Sequence, residues 1–281
     1  MGKLILYSGV MGSSKTTSLM QEVYNLENSG NEDEKNKQKK RQNKKIILMK
    51  PGVDTKGNEF FHSRFGGEFY RPVDVILPAD KTIIEACNLS KVNILNYDFL
   101  VIDEAQFMNP KQVYELWQIS NKIEKLQIIC YSLITDFQAN FFPGSEALSR
   151  FADEKYILVR RCEYCAQELA NFNARKVNGV FVTEGDQVVI DNKADVSYKS
   201  LCGACYYKHL RANDDVSQQI DRELSEIKKY VKKKWQLTLR WIITFKKWLF
   251  LLYFNSVNRR KERWKNMFIC LAKATNQCVT Y

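Results

Sequence analysis

The octapeptide Gly9-Val10-Met11-Gly12-Ser13-Ser14-Lys15-Thr16 constrains this chain more than any other segment, because of what flanks it. Lys3 to Ser8 reads as a short apolar strand running into a Gly/Ser turn, and Thr16 to Leu26 carries Leu19, Met20, Val23 and Leu26 at helical spacing. Strand, loop and helix in that order are the context in which the pattern G-x-x-x-x-G-K-[ST] cradles phosphate. Main-chain N–H groups curl around the anion at the helix N-terminus, the lysine reaches the outer phosphate oxygens, and the hydroxyl supports Mg²⁺. Lys15 and Thr16 supply those two side chains. Ser14 stands at the second glycine of the pattern, a position that can require positive φ, where a side chain costs on the order of 1 kcal/mol or shifts the loop. The plainer alternative is an ordinary Ser/Gly turn before a helix.

Further along, Lys45–Met49, Val73–Leu77, Tyr97–Ile102 and Leu126–Leu133 read as strands, and Asp80–Leu89 and Lys111–Lys122 as helices, the second opened by Asn109 and Pro110. Strands alternating with helices predict an α/β fold with a parallel sheet covered on both faces. Ligands in such sheets bind at the carboxyl ends of the strands. Residues 30–45 contain no apolar residue and read as a solvated insertion, and residues 54–72 as a long loop.

The formal charge of +11 would suggest a nucleic-acid or membrane partner, but its distribution says otherwise for most of the chain. Residues 1–205 hold 26 Lys/Arg against 26 Asp/Glu, whereas residues 206–281 hold 17 against 6. The excess therefore belongs to the C-terminal tail, and no nucleic-acid partner is expected for the main domain. The opening MGKLILYSGV lacks the three-part form of a secretory signal, so a cytoplasmic location is expected. In a reducing compartment, regularly spaced cysteines point to metal rather than disulfides.

Two more motifs carry chemistry. In LVIDEAQF, residues 100–107, an apolar strand ends in Asp103, placed to orient Mg²⁺ directly or through water. The adjacent Glu104 is then free to act as a general base near the γ-phosphate. Cys162-Glu-Tyr-Cys165 and Cys202-Gly-Ala-Cys205 form two CxxC knuckles, the pattern of a structural four-cysteine Zn²⁺ site. The 36 residues between the pairs exceed compact finger spacing, so the intervening segment should form its own hairpin.

These pieces in this order resemble the zinc-containing type II thymidine kinases, particularly their bacterial branch, from about Leu4 to Lys208. YSGVMGSSKTTSL, KPGVDTKG with HSRFG, VIDEAQF, SLITDFQANFF, and VVI followed by YKSLC and CYYK carry the likeness. The resemblance implies transfer of the γ-phosphate of ATP to the 5′-OH of thymidine or deoxyuridine. Carried over by position, Gly9 to Ser14 with Lys15 and Thr16 bind the phosphates, Thr16 and Asp103 serve Mg²⁺, and Glu104 takes the 5′-OH proton. Asp54 and Lys56 border the phosphates. Lys56 replaces a common Arg, so a point charge remains where a bidentate contact is lost. Gln106, Phe107, Phe137, Phe142, Arg175 and Tyr198 fall in segments that build the nucleoside pocket and its lasso. A homotetramer or homodimer is implied as well.

The implied layout is a P-loop kinase domain over residues 1–159, a zinc lobe with the lasso over 160–210, and an unrelated basic tail over 211–281. Three departures from the family pattern stand out: Ser14, Asp191 with Asn192 in place of a Gly pair, and a lasso about two residues longer. Two alternatives stay open. One is a zinc-bearing P-loop nucleic-acid ATPase; the other is a catalytically impaired nucleotide-binding relative, motivated by Ser14. In the tail, Leu224–Trp235 is a Lys-rich helical pattern, and Leu237–Phe254 is apolar but interrupted by Arg240, Lys246 and Lys247. Three internal cations argue against a membrane span. Weak contact of an interfacial helix with anionic membrane, a helix docked on a partner, or a translated extension without a role of its own are the readings of the tail.

Overall fold

The structure is a computed structural model describing residues 2–28, 44–52, 60–63, 69–187, 195–212 and 214–276. Its contacts divide the chain into two units, Met1–Ala212 and Asn213–Tyr281. The first unit is built on β1 (Lys3–Ser8), α1 (Lys15–Asn28), β2 (Ile46–Pro51), β3 (Phe60–Ser63), β4 (Phe69–Pro72), β5 (Val75–Leu77), α2 (Ile83–Leu89), β6 (Phe99–Ile102), α3 (Pro110–Lys122), β7 (Gln127–Ser132), α4 (Pro143–Phe151) and β8 (Glu154–Ile157). Six of these strands form one parallel sheet in the order β5-β2-β6-β7-β1-β8.

The near-continuous apolar runs follow from burial on both faces. Alternate residues of β1 part company: Leu4 and Leu6 join a core with Val113 and Leu116 of α3 and Leu148 of α4, while Ile5 packs with Leu19 and Val23 of α1. Val101 and Ile129 repeat that outward alternation on β6 and β7. Helix α3 starts where Asn109 accepts from the Gln112 N–H and Gln112 returns the contact to the Asn109 N–H, with Pro110 in the first turn. Helix α2 begins at Ile83, later than expected, because Thr82 caps it in the same reciprocal way with Glu85.

The long loop expected over 54–72 is corrected in part. β3 and β4 pair antiparallel with Phe60 opposite Pro72. Among the described side chains of that hairpin Phe61 enters the core beside α1, and Arg71 pairs with Glu27 of α1; charge, glycine and aromatics mix here without a period that would betray the strands in the sequence. Helix α4 and strand β8 also lie where no element was expected. The insertion over 30–45 lies almost wholly outside the described residues.

The unit continues with a smaller sheet of β9 (Phe172–Val177), β10 (Val180–Val182) and β11 (Val196–Leu201) in the order β10-β9-β11, followed by the short helix α5 (Gly203–Tyr206). The β9–β10 hairpin turns at Asn178 and Gly179, both at positive φ, and supplies the hairpin expected between the cysteine pairs. The second unit is one helix, α6 (Asp215–Asn276), where the sequence suggested two segments. Among the described residues, no helix is long and apolar enough to cross a membrane.

Candidate active site

The loop after β1 folds as the phosphate-binding pattern requires. Gly12 and Ser14 lie at φ 69° and 62°, so Ser14 occupies the left-handed region anticipated for a glycine. The Ser18 N–H donates to Ser14 O, which starts the ladder of α1. Lys15 is buried, and its Nζ donates to Gly9 O at 3.2 Å and Val10 O at 2.9 Å, inside the loop. Burial pushes the Lys15 ammonium pKa down, opposed by the nearby Glu104 and Asp103 carboxylates. The Ser13 hydroxyl is buried in the same loop without a hydrogen-bond partner among the described residues.

The acidic pair sits at the carboxyl end of β6, two strands from β1 across β7. Asp103 Oδ2 accepts from Thr16 Oγ1 at 2.9 Å, and Asp103 Oδ1 accepts from the Glu104 N–H at 3.0 Å. Burial, then the neighbouring Glu104 charge, raises the Asp103 carboxyl to about 7 against the pull of those hydrogen bonds. Adjacent oxygens on an octahedral ion with bonds of about 2.1 Å stand about 3.0 Å apart, close to the 2.9 Å between Thr16 Oγ1 and Asp103 Oδ2, so the two fit Mg²⁺. Glu104 holds the left-handed conformation at φ 51°, a strained placement of the kind found where a side chain is aimed for function. Gln106 Nε2 donates to Glu104 Oε2, and Gln106 Oε1 accepts from the Leu133 N–H at 3.0 Å. Gln106 thereby ties the Glu104 carboxylate to the loop after β7. Gly144 at the start of α4 lies against this turn so closely that a Cβ would meet Met108 O at 2.5 Å and Gln106 O at 2.8 Å.

The residues named for the nucleoside pocket are brought together around the loops after β6 and β7. Phe107 and Phe142 meet edge to face with centroids 5.9 Å apart. Arg175 of β9, although buried, spends its donors on main chain and on a side-chain hydroxyl: Nη2 reaches Asp186 O at 2.8 Å and Gln187 O at 3.2 Å, while Nε reaches the Tyr198 hydroxyl at 3.1 Å. Its guanidinium lies 3.7 Å over the Phe137 ring. Arg175 thus anchors the chain entering the lasso. Asp54 and Lys56, and the lasso residues Asp191 and Asn192, lie outside the described residues.

The four cysteine sulfurs of the two knuckles all lie within 4.8 Å of one another, with Cys165 Sγ and Cys202 Sγ at 3.8 Å. A tetrahedral zinc with bonds of about 2.3 Å separates its sulfurs by about 3.8 Å, so the donor set and its size fit that ion. Burial opposes ionisation of Cys162, yet the N–H groups of Cys165, Cys202 and Tyr164 bring its pKa down to about 6.

Comparison with known proteins decides what this arrangement belongs to. The thymidine kinase family model matches residues 2–206. A thymidine kinase of Haemophilus influenzae is 32% identical over 212 residues, covering 73% of this chain and 96% of the relative. A thymidine kinase of Legionella pneumophila is 31% identical over 208 residues, covering 73% of this chain and 90% of the relative. One from Streptomyces avermitilis is 36% identical over 110 residues, half of its own length.

The chain belongs to the thymidine kinase family. The cluster of Lys15, Thr16 and Asp103 lies within the matched residues, and the match ends before α6 begins.

Within this family site, sequence reasoning missed a brace from the cysteine lobe to the phosphate loop. The Met11 N–H donates to Asn173 Oδ1 at 2.8 Å, and Asn173 Nδ2 donates to Thr135 O at 2.8 Å. The Met11 carbonyl accepts from Ser200 Oγ at 2.5 Å and from Arg160 Nη1 at 3.2 Å. Glu163, inside the first knuckle, holds Arg160 Nη1 at 3.0 Å and accepts from the Ser200 N–H at 3.2 Å. No motif marks Asn173 or Ser200. Asp136 was also missed: it accepts from the Gln138 and Asn140 N–H groups and from Gln187 Nε2 at 3.0 Å, closing the turn beside Phe137. The Asp-x-x-x-Asn spacing of 136–140 in a loop was its only signal.

Proposed function

We propose that this chain transfers the γ-phosphate of ATP to the 5′-OH of thymidine or deoxyuridine, with Mg²⁺ at the phosphates and a structural Zn²⁺ held by Cys162, Cys165, Cys202 and Cys205. The observation that carries the reading is the junction of Lys15, Thr16 and Asp103 at the carboxyl ends of the central strands, with Glu104 next in the chain and fixed by Gln106.

Mg²⁺ bound at Thr16 Oγ1 and Asp103 would neutralise charge developing on the phosphates during transfer. Lys15 presents its ammonium from inside the loop toward the same oxygens, in a buried setting where a charge counts for more than in water. Glu104 accepts the proton of the 5′-OH as that oxygen attacks, its carboxylate kept in one orientation by Gln106. Phe107 and Phe142 supply apolar walls for the base, and Phe137, held under Arg175, a third. Arg175 and Tyr198 keep the entry to the lasso in place, and Gln187 with Asp136 closes the turn below; Asp54 and Lys56 are assigned to the phosphates by the family resemblance alone. The Cys₄ site holds the lobe whose strands β9 and β11 brace Met11.

Ser14 favours one other reading, a nucleotide-binding relative impaired in turnover, because its left-handed conformation stores strain in the phosphate loop. Phosphorylation of thymidine, deoxycytidine and deoxyguanosine with ATP separates the readings. Thymidine should be turned over well ahead of the other two. ATP binding without turnover of any nucleoside would establish the impaired form, and ATP hydrolysis without a nucleoside would establish an ATPase.

A further inference from the structure

The family match leaves α6 without an assigned role, and its surface is not that of an ordinary solvated helix. Between Ile227 and Leu251 there are eight Lys/Arg and no Asp or Glu. The apolar side chains there are outside, not packed away: Trp241 is 76% exposed, Phe245 54% and Trp248 55%.

Most of the cations and most of the bulky apolar side chains fall on opposite sides of the helix. At about 100° per residue, the lysine pairs 228–229, 232–233 and 246–247 and Arg240 fall within an arc of roughly 140°. Ile227, Val231, Trp241, Phe245, Trp248 and Leu249 fall within the opposite arc of roughly 160°, along with Trp235 and Ile242. Lys234 alone of the cations intrudes there. Leu239, Ile243, Phe250 and Leu251 lie on the basic side instead; Ile243, Phe250 and Leu251 line a recess with Lys246 and Lys247, whose aliphatic stems can cover them while their charges reach outward.

We propose that α6 lies in the plane of an anionic lipid surface, its Trp-rich face in the headgroup boundary and its basic face against the lipid charges. Three observations select this occupant. The uninterrupted positive charge over 227–251 complements an anionic surface and would repel a second copy of itself. The apolar arc is wider than the narrow seam of a paired coiled coil. Three tryptophans, bulky and amphipathic, suit a water–lipid boundary better than interlocking knobs.

The test uses the full chain and its variant with Lys228, Lys229, Lys232 and Lys233 each replaced by Gln, all exposed and remote in sequence from the phosphate site. Partition onto phosphatidylcholine vesicles with and without phosphatidylglycerol is followed by sedimentation and by the blue shift of tryptophan emission. The wild-type chain should partition only onto the anionic vesicles and be released by salt. The variant should lose about 100-fold or more in partition while phosphorylating thymidine at the wild-type rate. A second variant, Trp241→Ser with Trp248→Ser, should lose the blue shift. Equal partition onto neutral vesicles, or none onto anionic ones, overturns the proposal. So would a tryptophan blue shift that accompanies dimerisation without lipid, which would assign the face to a second copy, or retention on duplex DNA without vesicle binding.

Discussion

Replacing Asn173 by Ala should weaken ATP binding more than it weakens the fold. The side chain is 3% exposed and its two ends are unambiguous, since the Met11 N–H can only donate and the Thr135 carbonyl can only accept. Truncation leaves both of those main-chain groups unpaired inside the protein, at about 1–3 kcal/mol for each. Part of that is recovered if the Met11 peptide swings toward solvent, but a swung peptide no longer presents the phosphate loop in its binding conformation. Taking one such unit as the loss felt by the nucleotide gives about a five- to hundredfold rise in the dissociation constant of ATP, at tenfold per 1.4 kcal/mol. Calorimetric titration with Mg-ATP, beside the melting temperature and kcat, reads the effect. Asn173→Asp keeps the acceptor for Met11 and sets a carboxylate against Thr135 O, so it should recover ATP affinity relative to Ala while remaining less stable. An Ala variant that melts earlier yet binds ATP with the wild-type constant would show that Asn173 only joins the lobes.

Glu104→Gln should bind ATP as the wild type does and lose about 10²- to 10⁴-fold in kcat, the usual cost of removing a general base; an unchanged kcat removes Glu104 from the mechanism. Ser14→Gly should raise stability by on the order of 1 kcal/mol in a denaturant melt, because glycine relieves the positive φ, and a loss of stability would mean that the Ser14 side chain is needed there. Freshly prepared protein should carry one zinc per chain by elemental analysis, and Cys162→Ser should lower the melting temperature and release the metal; zinc-free protein of full stability would dismiss the Cys₄ site.

The sequence shows its parallel sheet because strands buried on both faces must be apolar throughout, as β1, β6 and β7 are. It shows Lys15, Thr16 and Asp103 because phosphate and metal chemistry demand fixed residue types at fixed spacing. Even the positive φ at Ser14 could be anticipated, since the pattern places a glycine there for a conformational reason. The β3–β4 hairpin stays hidden because the anchors seen among its described residues, buried Phe61 and the Arg71–Glu27 ion pair, set no periodicity in the sequence. The brace of Asn173 and Ser200 stays hidden for another reason: both contacts join residues more than 150 positions apart through main-chain groups that any residue at Met11 would supply. Likewise Arg175 can be placed in the pocket region by position alone, but that its charge is spent on the Asp186 and Gln187 carbonyls is legible only in three dimensions.

The most direct measurement follows the γ-phosphate itself. With γ-labelled ATP, Mg²⁺ and thymidine, the label should appear in thymidine 5′-monophosphate in step with the ADP formed, and almost no ATP should be consumed when thymidine is left out. Label released as inorganic phosphate at the same rate with or without thymidine would contradict the assignment of Glu104 and its neighbours to nucleoside phosphorylation.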